Sequence, residues 1–588
     1  MRHISFIKTA LAGLVLTGFA SCADDLNLSS VDPQSSQAYD EIELLAKQYG
    51  TLGLTGQVGG SGKADMSDDE GESGFYRVVF NLQTLGTDEC IWAWQTDTDI
   101  PQITNLRWTA SSERVKWAWR RLAYDITLYN SYLDLMKGRT DGEYPHYLAE
   151  VRFLRALHYW YFLDLFRKAP FKDALEDGFT MTALPVEKKG VDLYNWLDAE
   201  LTDIEGQLAG LGEFNNKSDF GRADRGAAVA LHARLALNSA VYTNGAVKDY
   251  EKAISYCNEL INSGKYALSA ATNANGYTGY EQVFMGDNDI NEQAMKEIIF
   301  AIRQDGQRTQ EHSGSTYLVS SMRISGMPYS GTDNYWSCNF ARQALVQKFL
   351  SDLTNPDLLA TSDELKNYVE TVAPNLYVDK DGKARMPSEG EVIAADKALG
   401  GSTARIREIA GDDRAMFYGG IGGATTESTR QFSAGKNITG FLNGLSIVKW
   451  QNIRSDNGTP SDKTFSDTDI PLFRLAEAYL TRAEALYRTG KAEAALQDLN
   501  KLRDRAHAST YTSIDENILI DEWCREFYME GRRRSDLVRF DRFTTKKYLW
   551  DWKGGNPAGQ AVDSHFNIYP VPATEQGNNP NLEQNPGY

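Results

Sequence analysis

Asp467 and Asp469 stand two apart, either side of Thr468 and just before Pro471. Carboxylates at this spacing suit calcium, a hard ion that takes oxygens from carboxylates, backbone carbonyls and water. Asp289, in the distant Asp287-Asn288-Asp289 cluster, is the third candidate ligand. The same two aspartates also suit a helix start, because Pro471 tolerates a first turn and the acids before it cap and complement the dipole. Spacing alone leaves both roles open. Trp92 and Trp94 share a face if their segment is extended. That pair is either a sugar-stacking platform or a small core under a loop, and spacing favours the core. Cys22 ends the run Phe19-Ala20-Ser21-Cys22 behind a short apolar stretch with Arg2 and Lys8 ahead of it. The stretch is too short to span a bilayer and has the form of a signal peptide over 1–21, leaving Cys22 as a lipidated N-terminus.

The elements that must hold these residues are mostly helical. Asp469 to Ala506 is expected to form two antiparallel helices, the first beginning near Pro471 and ending at Gly490. Tyr479, Ala483, Leu486, Ala495 and Leu499 give the large–small alternation of a tetratricopeptide (TPR) unit. Such a unit cannot bury its apolar face alone, so further pairs must stack on it. Segments 113–137, 144–168, 191–208 and 224–241 carry apolar residues at i, i+3 and i+4. Within 150–167 two stripes appear, Leu154, Leu157, Tyr161 and Leu165 beside Phe153, Ala156, Trp160 and Leu163, so this helix is expected to be buried on both sides. Residues 23–74 read as a polar, Gly-rich loop, and 266–464 as a long irregular segment of the kind that usually carries function. Ile518 to Glu530 reads as a helix. The following Arg532-Arg533-Arg534 is expected to pair with Glu526, Glu530 and Asp536.

Composition narrows the function. A net charge of −19 argues against nucleic acid and against an anionic membrane surface as partners. Four cysteines besides Cys22, at 90, 257, 338 and 524, form no CxxC pair, so they are expected to be buried thiols, with one disulfide left open. The chain holds 80 acidic residues, so some pair will always meet the spacing a glycosidase needs, yet no catalytic signature appears.

Five motifs occur in order: EVRFLRALHYWYFLDLFRKAPF, GRADRGAAVALHARLALNSAVY, DIPLFRLAEAYLTRAEALYRTG, WCREFYMEGRRRSDLVRF and YPVPATEQGNNPNLEQNPGY. Together they resemble the RagB/SusD family of nutrient-binding outer-membrane lipoproteins across essentially the whole mature chain. DEGESGFYR, TDEC with WAWQ, GSTYLV, GLSIVKWQN and TTKKYLWDWKGG are similar to its starch-binding branch. The resemblance implies a mainly α fold in which TPR-like helix pairs carry a large irregular subdomain. It implies a non-enzymatic α-glucan (malto-oligosaccharide) binder at the cell surface, anchored to the outer membrane through Cys22 and partnered by a TonB-dependent transporter. Its regions would be a lipidated linker over 22–40, helical pairs and ligand loops over 41–265, the ligand-binding subdomain over 266–464, a helix pair over 465–510 and a C-terminal region over 511–588.

The resemblance also places the ligand arc. Trp94 and Trp336 correspond to stacking groups, and Asp69, Arg77 and Asp97 to polar contacts. Asp97 stands where the family's amide is found, and His312 where it has a stacking tyrosine. It favours the calcium role for Asp289, Asp467 and Asp469 over capping. The alternatives are a family member that binds another glycan and two other classes, a glycoside hydrolase and a TPR scaffold for peptides or proteins.

Overall fold

The computed structural model describes residues 40–56, 65–67, 69–324, 327, 329–350, 381, 401–419 and 444–588. Cys22 and the rest of 1–39 lie outside the described residues, as does most of 351–443. Residues 48–588 form one unit by internal contacts, and 1–47 are set apart from it.

The fold is predominantly α-helical. Helices α1 (Glu41–Gly53) and α2 (Phe75–Thr84) come first, then strand β1 (Cys90–Trp92). Helices α3 (Glu113–Met136) and α4 (Tyr144–Phe166) are the long ones. A hairpin of β2 (Lys168–Phe171) and β3 (Val186–Lys189) leads to α5 (Gly190–Glu205), α6 (Arg225–Leu237) and α7 (Tyr250–Asn262). Among its described residues the next segment holds short elements, including β4 (Ile298–Ile302), α8 (Ser315–Ser321), β5 (Asn339–Ala341), β6 (Phe417–Tyr418) and β7 (Ser446–Ile447). Then come β8 (Ile470–Arg474), α9 (Leu475–Arg488), α10 (Ala492–Arg505), α11 (Glu516–Phe527) and α12 (Arg533–Arg539).

The helices stack in sequence: α3 on α4, α4 on α5, α5 on α6, α6 on α7. The next neighbour of α7 is α9, which then packs on α10 and α11. The irregular segment is therefore inserted between two helices that touch. Both apolar stripes of α4 are buried, as expected. At the α9–α10 contact Ala483 and Ala495 are fully buried and admit Leu486 and Leu499 beside them; a buried leucine contributes roughly 1.5–3 kcal/mol. Gly490, at φ +80°, turns the chain between the two helices.

Three expectations need correction. Residues 41–53 form a helix, although 23–74 reads as loop, and 75–84 form a helix that the sequence reading did not assign; all of α2 is buried. The helix expected from Pro471 begins at Leu475, because Ile470–Arg474 pairs antiparallel with β4 and its residues serve that ladder first. Asp467 and Asp469 therefore cap no helix. The three arginines are indeed paired, but mostly with other acids. Arg532 bonds Asp536 (3.1 Å) and Glu477 (2.8 Å), Arg533 bonds Asp88 (2.7 Å), and Arg534 stands 3.8 Å from Asp164. Glu526 and Glu530 are taken by Arg474, at 2.6 and 2.7 Å, and Arg474 also meets Glu297 at 3.0 Å. The four described cysteines are buried free thiols.

Candidate functional site

Tyr317, buried in α8, is the hub on which three segments converge. Trp92 at the end of β1 stacks on it, with centroids 5.8 Å apart and planes 25° apart. Trp336 lies 6.4 Å away at 44°. The Arg77 guanidinium, from the first turn of α2, sits 4.6 Å over the Tyr317 ring. The pairing of β1 with β5, Trp92 opposite Asn339, draws the tryptophan segment to the 336–339 stretch. The Tyr317 hydroxyl donates to Asn81 at 3.1 Å, which fixes the hub to α2.

Trp92 is buried, so the core reading holds for it, while Trp94 is half-buried and meets Trp92 edge-on at 5.9 Å. Trp92 Nε1 donates to Asp97 Oδ2 at 2.9 Å. Burial pushes the Asp97 carboxyl above the ordinary range, against the pull of that N–H and of nearby Arg114 and Arg77. Arg77 Nη1 donates to the His312 carbonyl at 3.1 Å and lies 3.8 Å from Glu72. His312 is held between Phe465 (5.1 Å, 32°) and the edge of Trp336 (5.5 Å, 68°). Its Nδ1 and backbone N–H both meet the Glu70 carboxylate. Burial raises the Glu70 carboxyl, but the bonds from His312 and Glu311 outweigh it and hold the group well below the usual range. Glu311 behind it is pushed up, by burial and then by Glu70. Asp69 is exposed at the start of this loop, and its carbonyl accepts the Glu72 N–H.

The 69–74 loop lies on His312 because two glycines leave room. A Cβ on Gly71, at φ +88°, would meet the His312 carbonyl carbon at 2.5 Å, and one on Gly74 would meet Ser313 Cβ at 2.3 Å. The structure thus brings Arg77, Trp94, Asp97, His312 and Trp336 around one hub, with Asp69 on the adjoining loop. Sequence reasoning passed over Tyr317, Glu70 and Phe465 as parts of this arrangement. The GSTYLV motif contained Tyr317, but nothing in its spacing marks Glu70 as the partner of a histidine more than two hundred residues away.

Two of the three aspartates expected to hold calcium, Asp289 and Asp467, line a second place, a cleft of about 410 Å³ with Arg303, Gln304 and Ser461, and the third, Asp469, is joined to it through Arg303. Asp467 accepts the Gly306 N–H at 2.9 Å and the Ser461 N–H at 2.7 Å. Asp469 is fully buried; Oδ1 accepts the Gln304 N–H, and Oδ2 has no hydrogen-bond donor. Arg303 bridges the cluster, 3.0 Å from Asp289 and 3.3 Å from Asp469 Oδ2. Burial pushes the Asp469 carboxyl up to about 8 despite Arg303. Among the described residues no three His, Cys, Asp or Glu side chains stand as a ready metal set. The orphaned Asp469 oxygen, faced only by a half-exposed arginine side chain, nonetheless fits a cation.

Residues 296–588 match the model of the SusD family. The starch-binding protein SusD of Bacteroides thetaiotaomicron is 49% identical over 583 residues, covering 99% of this chain and 98% of that one. The chain belongs to the SusD family. A SusD-like protein P25 from Formosa agariphila is 24% identical over 79% of the chain and 77% of its own length. Solved SusD-like structures share the fold at low identity. A SusD-like carbohydrate-binding protein from Bacteroides fragilis superposes with a TM-score of 0.63 at 19% identity, covering 92% of this chain and 98% of that one. A surface glycan-binding protein A from B. thetaiotaomicron, solved with laminarihexaose, gives 0.59 at 15% identity, with 92% and 98% covered. The helical stack described above is thus the SusD-family scaffold, and the aromatic cluster is shared between the β1 segment, with Trp92 and Trp94, and the irregular insertion, with His312, Tyr317 and Trp336.

Proposed function

We propose that this chain is a cell-surface glycan-binding protein whose ligand is an α-1,4-glucan of the starch type. The reading rests on one observation above all: Trp94, Trp336 and His312 lie with Arg77 and Asp97 around Tyr317. Pyranose rings lay their C–H faces on aromatic planes, while hydroxyl edges need acid, amide or guanidinium partners. The curved outer surface of a helical glucan suits an arc of rings, with Asp69 contributing from its loop. The 49% identity to a relative named for starch binding supports this ligand. SusD-family proteins bind glycans without cleaving them, and the chain is not an enzyme.

The same reading includes capture at the outer membrane, a lipid anchor on Cys22 and delivery to a TonB-dependent transporter. Family membership and the signal-like N-terminus support it. No helix among the described residues is long and apolar enough to cross a membrane. We further propose that Asp289, Asp467 and Asp469 hold a calcium ion, which would supply positive charge to the buried Asp469 and tie the inserted segment to β8. The Asp469 oxygen without a hydrogen-bond donor supports this reading, as does the placing of Asp467 and Asp469 ahead of a strand and not of a helix.

An affinity-gel screen tests the ligand, comparing amylose and pullulan with dextran, inulin, xylan and laminarin. Retardation by the α-1,4-glucans is expected. Retardation by laminarin alone would reassign the arc to a β-glucan.

A further inference from the structure

We propose that Tyr329 and Tyr335 form a second ring platform beside Trp336, which takes further glucose units of a long α-glucan. The inference rests on the glucan reading above and extends it to chain length.

Among the described residues these two tyrosines are the only aromatic side chains that stand well exposed, at 45% and 39%. Their segment is not loose. The Asp333 N–H donates to the Lys463 carbonyl at 2.8 Å, the Thr332 hydroxyl to the same oxygen at 2.9 Å, and the Asn334 amide to the Thr464 carbonyl at 2.8 Å. The Trp336 N–H donates to the Ser320 carbonyl at 3.0 Å. Tyr335 and Trp336 are therefore presented on a stretch pinned at both ends, and their rings are held where solvent reaches them.

The two neighbours face different side chains. Trp336 lies by Tyr317 and His312, whereas the Tyr335 ring lies 5.9 Å from the guanidinium of buried Arg323, which follows the end of α8 at Ser321. The Tyr335 ring thus adds exposed surface next to the arc and is not part of the contacts around Tyr317. Tyr329 belongs to the same patch. Its hydroxyl is pushed up by burial, then by Asp333 and Tyr335, with Arg323 opposing. Exposed rings with a carboxylate and two phenolic hydroxyls alongside form the same kind of surface as the arc itself. Tyrosine offers such area at low entropic cost. The patch continues the arc, so we assign it the same polymer and not a separate protein partner.

Calorimetry with maltotriose and with long soluble amylose tests this, on wild type and Tyr329→Ala/Tyr335→Ala. Both side chains are solvent-exposed, so the double variant is expected to melt with wild type. Its maltotriose affinity should stay within about twofold, while its amylose affinity falls about tenfold. Tyr329→Phe/Tyr335→Phe, which keeps the rings, should retain most of the amylose binding. Unchanged amylose affinity in the alanine variant overturns the platform and leaves the Trp336 arc standing. Parallel loss of maltotriose and amylose also overturns it, because the tyrosines would then shape the arc and not extend it. A wild type that binds neither sugar takes the glucan reading and the platform down together.

Discussion

Glu70 grips His312 twice, by the imidazole Nδ1 and by the backbone N–H. The grip fixes the tautomer and orientation of the ring, leaving Nε2 as its free hydrogen-bonding atom. At the position where the family resemblance implies a stacking tyrosine, this protein offers an oriented imidazole. Glu70→Ala should cost glucan binding about 1–2 kcal/mol, or five- to thirtyfold. Glu70→Gln, which can still accept one of the two bonds, should cost less. Calorimetry with maltoheptaose measures both, and equal wild-type affinity in the alanine variant would remove His312 orientation from the binding argument.

Trp336→Ala and Trp94→Ala should each weaken glucan binding. A stacked indole hiding about 80 Å² is worth roughly 2 kcal/mol, near thirtyfold. His312→Ala should cost less than either. Unchanged affinity in both tryptophan variants would move the site elsewhere.

Chelation tests the proposed ion. EGTA should lower Tm, added calcium should restore it, and Asp467→Ala should copy the chelator. Glucan affinity of the protein that stays folded should hardly change, because the aspartate cleft and the aromatic arc share no residue. A melting curve indifferent to EGTA and calcium, with no metal by elemental analysis, would leave the cleft's arginines, Arg303, Arg308 and Arg454, to balance the aspartates.

Arg474 carries a heavy electrostatic load. It lies fully buried against Glu297, Glu526 and Glu530. Arg474→Met should destabilise the fold by about 1–3 kcal/mol, the cost of buried carboxylates losing a donor, because Glu297 keeps Arg505, Glu526 keeps Arg414 and Arg505, and Glu530 keeps Lys449. Urea unfolding with unchanged slope and a lower midpoint is the expected result.

Glu89 sets a pH dependence. Burial pushes its carboxyl up to about 8, opposed by the Met529 N–H that it accepts at 3.0 Å. The folded state therefore holds this proton more tightly than the unfolded chain, whose glutamate titrates near about 4.3. The resulting stabilisation is full below that value and is lost as pH rises towards 8. Tm should fall from pH 5 to pH 8, and Glu89→Gln should flatten that decline.

The helical frame was legible because periodicity reports burial directly: α3 to α6 and the α9–α10 pair fall close to where apolar spacing puts them. Ile470–Arg474 misled because a proline with acids ahead of it looks alike before a helix and before an edge ladder, and only its partner β4 decides. Helix α2 was missed because FYRVVFNLQT is short and mixes polar with apolar residues that are all buried. At the site, the family resemblance pointed to Trp94, Asp97 and Trp336, but the contacts that organise them are long-range. Tyr317 joins segments from 77 to 336, and Gly71 matters only because His312 passes against it. No local pattern encodes such a meeting.

The contact between α7 and α9 across the inserted segment bears on how this architecture can diversify. Closing a loop costs entropy only with the logarithm of its length, about 0.6 kcal/mol for each doubling. The insertion could therefore be lengthened, shortened or exchanged for another at a cost smaller than that of one poorly filled core position. The frame registers only that the two ends return to neighbouring helices. Whatever is strung between them is free to vary, as a socket accepts different tools, and a single inherited stack can be fitted to many polymers without being redesigned.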